Sequence, residues 1–107
     1  MNGVPELLVL RCLQEREMYG YELVQEIKGR TDAVVILGEG VVYPLLHALE
    51  TKGALQARRK TVQGRSRVYY SITPKGAERL SGLSGAWTTL TTAIGQVMQG
   101  GAHAGAV

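Results

Sequence analysis

The chain has one cysteine and two histidines among 107 residues, and each scarcity removes a class of answer. A lone Cys12 can form neither an internal disulfide nor a cysteine-rich metal site. Set among Leu8, Leu10 and Leu13, it reads as a small buried apolar residue rather than a redox sensor. His47 and His103 stand far apart in the chain. No Gly-rich phosphate loop, no Ser/His/Asp or Cys/His arrangement and no metal-ligand spacing occurs, so neither catalysis nor a metal or cofactor is expected. No apolar run approaches the roughly 20 residues that span a bilayer, and the stretch Leu7 to Leu10 lacks the flanks of a signal peptide. The expectation is a cytoplasmic chain with no membrane partner, no internal repeat and no second globular domain.

What is present is ordinary in amount and uneven in placement. Hydrophobic residues make up 45% and charged residues 20%, the proportions of a globular domain. A chain this short buries a modest core unless a second subunit covers part of its surface. The net charge is only +3, yet residues 1 to 51 hold four basic against eight acidic residues, a net of −4. Residues 52 to 79 hold Lys52, Arg58, Arg59, Lys60, Arg65, Arg67, Lys75 and Arg79 against Glu78 alone, a net of +7. Such asymmetry is the sequence footprint of a surface for a polyanion.

Periodicity supplies the elements. Pro5 to Gln14 is a run of helix formers with proline in the first turn, where its missing N–H costs nothing. Glu15 to Glu17 is a polar connection, and Met18-Tyr19-Gly20-Tyr21 leads into a second helix of about ten residues, with Leu23, Val24 and Ile27 on its apolar side and Gly29 at its end. Thr31 to Gly40 contains Val34-Val35-Ile36-Leu37, whose β-branching would suit a short strand, and reads as a buried linker. A third helix covers Val41 to Lys52, with Val42, Leu45, Leu46 and Leu49 on one face, Pro44 in the first turn and Gly53 as the stop. Alternation then replaces the helical period. Leu55 to Thr61 and Ser66 to Ile72 read as a hairpin turning at Gln63-Gly64. Thr73 caps a last helix with Pro74 in its first position. On that helix Leu80, Leu83, Trp87, Leu90, Ile94 and Val97 recur at the 3.5-residue spacing of a helix packing along a partner. Gly82 and Gly85 each cost about 1 kcal/mol of helix propensity, so the helix depends on that packing.

This order predicts a mainly α chain with a small β-hairpin, α+β in class. It is a winged helix-turn-helix over 1–76, a C-terminal dimerisation helix over 77–99 and a flexible tail over 100–107. In such folds the helix before the hairpin enters the major groove of double-stranded DNA and the hairpin lies along the backbone or the minor groove. Arg58, Arg59, Lys60, Arg65 and Arg67 are expected to cluster near the hairpin tip, free to reach phosphates. Lys52 adds to them, and Val41, Tyr43 and His47, with Glu39, are the groove-facing candidates on the third helix. Tyr69 and Tyr70 alternate, one expected inward and the other outward. Trp87 reads either as dimer packing or as a ligand contact. A winged-helix module that binds protein or ligand but not DNA is the rival reading, and the +7 segment argues against it.

Four stretches carry a family resemblance: Tyr19-Gly20-Tyr21-Glu22-Leu23, Gly40-Val41-Val42-Tyr43-Pro44-Leu45-Leu46, Leu49-Glu50-Thr51-Lys52-Gly53, and Arg67-Val68-Tyr69-Tyr70-Ser71-Ile72-Thr73-Pro74-Lys75-Gly76. In this order the chain resembles the PadR family of bacterial transcriptional regulators from Leu7 to about Met98, in its small subclass with a single dimer helix. The resemblance implies a homodimer whose C-terminal helices pack together. It also implies two wings on a two-fold symmetric operator, and repression relieved by a small-molecule effector. One departure is Val41, where family members often carry threonine, whose hydroxyl could bond phosphate or cap the helix.

Overall fold

Helix α1, Val4–Glu15, opens the computed structural model, which describes residues 3–100. The tail expected beyond position 100, His103 included, lies outside the described residues. Pro5 occupies the first turn of α1, and Val9, Leu10, Cys12 and Leu13 turn inward, a spacing that places them on one side of a 3.6-residue helix. Strand β1 is only Met18–Tyr19, and α2 follows as Gly20–Arg30, its start fixed by the Glu22 carboxylate accepting from the Tyr19 N–H at 3.3 Å. Helix α3 is Glu39–Thr51, strands β2 and β3 are Leu55–Val62 and Arg65–Ile72, and α4 is Pro74–Met98.

The three strands form one antiparallel sheet in the order β1-β3-β2. Met18 pairs with Tyr70 and Tyr19 with Tyr69, while β2 and β3 pair from Leu55–Ile72 out to Val62–Arg65. The hairpin closes through Gln63 and Gly64, both at positive φ, the two-residue turn whose twist matches its strands. Partners across a ladder share a face, so Leu55, Ala57, Val68, Tyr70 and Ile72 look inward with Met18, and Tyr69 lies on the other face with Arg58, Lys60 and Arg67. Leu10, Met18, Leu23, Val42, Leu46 and Leu49 are fully buried, so α1, α2, α3 and the sheet share one core. Among the described residues no polar or charged residue is buried there.

Three expectations need correction. The Thr31–Gly40 connection is not a buried linker: Val34 is 83% and Ile36 61% exposed, and only Val35 and Leu37 pack against the core. The reason is the turn after α2. Asp32 and Ala33 take left-handed backbone with the Ala33 N–H returning to the Lys28 carbonyl at 2.8 Å, and Thr31 Oγ1 accepts from the Val35 N–H at 3.0 Å. The chain is thereby folded back across the surface. Second, α3 starts two residues before Val41, which puts Pro44 inside the helix rather than in its first turn. The carbonyl of Gly40 loses its helical donor, a loss tolerated because Gly40 and Pro44 are both at the exposed surface. Third, Met18-Tyr19 is a strand and not merely the approach to α2.

At the start of α4, Thr73 is the N-cap, its hydroxyl oxygen accepting from the Gly76 N–H at 3.0 Å. Gly76 allows the helix to lie against the preceding loop, since a Cβ there would fall 2.1 Å from the Ala54 carbonyl oxygen. Leu80 enters the core, Leu83 packs beside it, and Arg79 is ion-paired with Glu6 of α1. Beyond Leu90 the helix runs free of the rest of the chain, with Ile94 50% and Val97 77% exposed. The molecule is consequently elongated, 66 × 28 × 22 Å.

Candidate nucleic-acid interface

The outward side of α3 carries Glu39, Val41, Tyr43 and His47, of which Glu39, Val41 and His47 are exposed and Tyr43 is half-buried. The Tyr43 ring rests on Gly20, where a Cβ would sit 2.4 Å from its Cε1. The glycine of Tyr19-Gly20-Tyr21 is therefore the seat of the α3 tyrosine. Burial, and after it the neighbouring Glu39 carboxylate, pushes the Tyr43 phenol above its ordinary value, so it remains a proton donor at neutral pH. Tyr43 and His47 line a shallow concavity of about 260 Å³ together with Tyr19, Gly20, Arg67 and Val68. The base of the wing and the middle of α3 thus form one surface.

The wing itself divides by face. Register places Arg58, Lys60, Arg65 and Arg67 on the side away from the core and Arg59 on the side of Val68, beyond the point where the core ends. The outer side is knitted together by Glu17, just before β1, and by Tyr19 within it. Glu17 accepts from Arg58 Nε and Nη2 at 3.0 and 2.9 Å and from Lys60 Nζ at 2.6 Å. The two partners hold its carboxyl down to about 2 through these hydrogen bonds, Arg58 first. Lys60 Nζ also lies 4.5 Å from the centre of the Tyr69 ring, Arg67 lies 4.3 Å from that of Tyr19, and the two rings meet edge to face at 5.3 Å.

These contacts revise the expected site. Five cations without partners at the hairpin tip are not what the fold gives: Arg58 and Lys60 are ion-paired to Glu17, and Arg58 lies about five residues, roughly 16 Å, back from the turn. Arg59 has only the Ser66 hydroxyl at 3.3 Å, and Arg65 has no ion pair among the described residues. The outward tyrosine expected of the Tyr69-Tyr70 pair is not free either, because Tyr19 and Lys60 cover Tyr69 and both rings are buried. Lys52 is at the opposite end of α3 and lines a different concavity with Lys75, Glu78 and Arg79. Glu17 was not legible as a site residue. Its partners are 41 and 43 residues away, and the only local signal was an acidic residue in a polar connection.

The α4 seam also divides. Leu80 is taken into the chain's own core. Leu83, Trp87 and Leu90 line an apolar groove of about 290 Å³ with Gly3, Val4, Leu7 and Ala86, and Trp87 remains 43% exposed. No group of three or more metal-ligating side chains is found among the described residues, and no described helix is long and apolar enough to cross a membrane.

Comparison with known proteins agrees with this geometry. The model of the transcriptional regulator PadR-like family matches residues 9–82. The chain is 34% identical over 101 residues to an uncharacterized protein of Lysinibacillus sphaericus, covering 94% of this chain and 93% of that one. It is 35% identical over 75 residues to the transcriptional regulator Rv3488 of Mycobacterium tuberculosis, covering 70% of this chain and 67% of the relative. Among solved structures, a PadR-like transcriptional regulator from Bacillus cereus superposes with a TM-score of 0.80 at 32% identity, over 92% of this chain and 95% of that one.

Proposed function

The chain belongs to the transcriptional regulator PadR-like family, and from that premise we propose that it represses transcription as a homodimer on a two-fold symmetric operator and is released by a planar apolar effector. A DNA-binding regulator, and not an enzyme, is what membership establishes. The observation that supports this reading of the surface is the convergence of Tyr43 and His47 on α3 with Arg67 on the wing along one concavity. A recognition helix and a wing meeting there suit a duplex whose major groove takes α3 and whose flanking phosphates take Arg59, Arg65 and Arg67. Val41 and His47 then face the groove, and Tyr43 donates to the backbone.

The two-unit division follows the same logic. Residues 1–76 bind DNA and 77–99 dimerise, with Leu83, Trp87, Leu90, Ile94 and Val97 as the seam. An apolar strip of this kind, left uncovered by its own chain, is most simply covered by a second copy. The groove beside Trp87 takes the effector, since apart from the Trp87 indole N–H its lining side chains are apolar and favour a flat hydrophobic molecule. Such a regulator works in the cytoplasm. The test is a gel-shift titration with DNA from upstream of its own coding region and with random duplex, comparing wild type with Arg59→Ala/Arg65→Ala. Tight wild-type binding that weakens with salt and falls at least about tenfold in the variant supports the reading. No wild-type binding to either duplex at low salt overturns it.

A further inference from the structure

The carboxylate of Glu17 lies against Arg58 and Lys60 on the outer face of the wing, which also carries Arg65 and Arg67, and nothing in the proposed function uses it. Its geometry is that of a phosphate already bound. Both oxygens are taken, Arg58 gripping them through Nε and Nη2 in the fork arrangement by which guanidinium holds carboxylate or phosphate, with Lys60 added at 2.6 Å. Together the three groups carry a net charge of +1, where two unpaired cations would carry +2. Lys60 is confined further by the Tyr69 ring beneath it. Arg59 and Arg65, on the same hairpin, have no such carboxylate among the described residues. The carboxyl is held down to about 2, so the clamp stays charged throughout the neutral range.

We propose that Glu17 is an intramolecular phosphate mimic that withholds Arg58 and Lys60 from DNA and so limits the protein's sequence-independent affinity for duplex. The inference rests on the reading of the wing as a phosphate-contacting element. Sequence-independent binding scales with the number of phosphates neutralised, each releasing counterions. A cation that must first leave a bidentate carboxylate contributes less than one already free. The family's wing therefore operates here with Arg59, Arg65 and Arg67, and the other two cations stay in reserve.

The experiment is fluorescence anisotropy on labelled random duplex across a salt series, with wild type, Glu17→Gln, Arg59→Ala/Arg65→Ala, and Glu17→Gln combined with Arg58→Gln and Lys60→Gln. Glu17→Gln is expected to bind roughly tenfold more tightly at low salt, with the slope of log K on log salt steeper by about 0.9 to 1.8, one to two added phosphate contacts. The triple variant should lose that gain. If Glu17→Gln binds as wild type the proposal is overturned, and if it binds more weakly with a shallower slope the proposal is overturned and Glu17 is instead a strut that presents the two cations to DNA. A gain that survives in the triple variant overturns it too. The Arg59→Ala/Arg65→Ala protein separates this from failure of the premise. If it binds as wild type, the wing does not meet DNA and both readings fall, whereas weakened binding there with an unaltered Glu17→Gln overturns the clamp alone. Glu17→Ser repeats the measurement should melting show that glutamine disturbs the fold.

Discussion

The wing and the free half of α4 are the two surfaces this protomer leaves unfinished, and they are unfinished in different ways. On the wing, side chains of opposite sign and two aromatic rings satisfy one another: Glu17 holds Arg58 and Lys60, and Tyr19 and Tyr69 lie under Arg67 and Lys60. On α4, Trp87 is only partly covered by its neighbours on α1, and Ile94 and Val97 beyond it stand exposed. Charged groups are hydrated well, so the wing is stable without a cover. Apolar groups gain nothing from water, so the strip on α4 is stabilised only when something covers it. Under the proposed function, the difference corresponds to a reversible, salt-sensitive contact on one surface and a lasting one on the other.

The strongest way to break that comparison is Leu90→Asp. It places a carboxylate in the centre of the apolar strip, where desolvating it against a partner should cost about 3 kcal/mol or more, raising the dimer dissociation constant over a hundredfold by sedimentation. A dimer of unchanged strength would mean that α4 is covered by something else. Next in size is Gly76→Ala, whose Cβ meets the fixed Ala54 carbonyl. The expected loss is about 2 to 3 kcal/mol, seen as a fall in melting temperature; an unchanged melting temperature would show that the root of α4 is not rigidly seated. On the other surface, Tyr43→Phe keeps the ring on Gly20 and removes only the hydroxyl. Operator affinity should fall about three- to fivefold, around 1 kcal/mol, with thermal stability unchanged. Equal affinity would remove the Tyr43 hydroxyl from the interface.

The smallest effect is the titration of Glu17. A carboxyl lowered in the folded state contributes stability that is present above its ordinary value near 4.5 and lost as pH falls toward about 2. Carboxyl chemical shifts should therefore give a midpoint near 2 in the wild type, rising toward the ordinary range in Arg58→Gln/Lys60→Gln. A wild-type midpoint already at the ordinary value would mean that the clamp is open in solution.

What could be read from the sequence, and what could not, follows the range of the interactions involved. Leu23 and Ile27, Val42 and Leu49, and the Thr73-Pro74 start of α4 announce themselves within a few residues, and they stand as expected. The two-residue strand β1 is too short to display alternation and exists because β3 passes beside it. The run Val34 to Leu37 reads as buried because it is apolar, yet its course is set by the left-handed pair Asp32-Ala33, which composition does not reveal. Gly38-Glu39-Gly40 reads as loop, and so Pro44 was placed too early in α3. The cationic character of the wing was plain from Arg58 to Arg67, whereas the identity of the free cations depended on Glu17, more than 40 residues distant. Likewise Leu80 fits the seam by spacing and is claimed by the core through its contacts.

The most direct measurement is the mass of the complex between the wild-type chain and its operator duplex, by sedimentation or light scattering, alongside Leu90→Asp. The account predicts two protomers on one duplex, and no stable complex of the variant under the same conditions. One protomer per duplex, or a monomeric Leu90→Asp protein that binds as tightly as wild type, would contradict it.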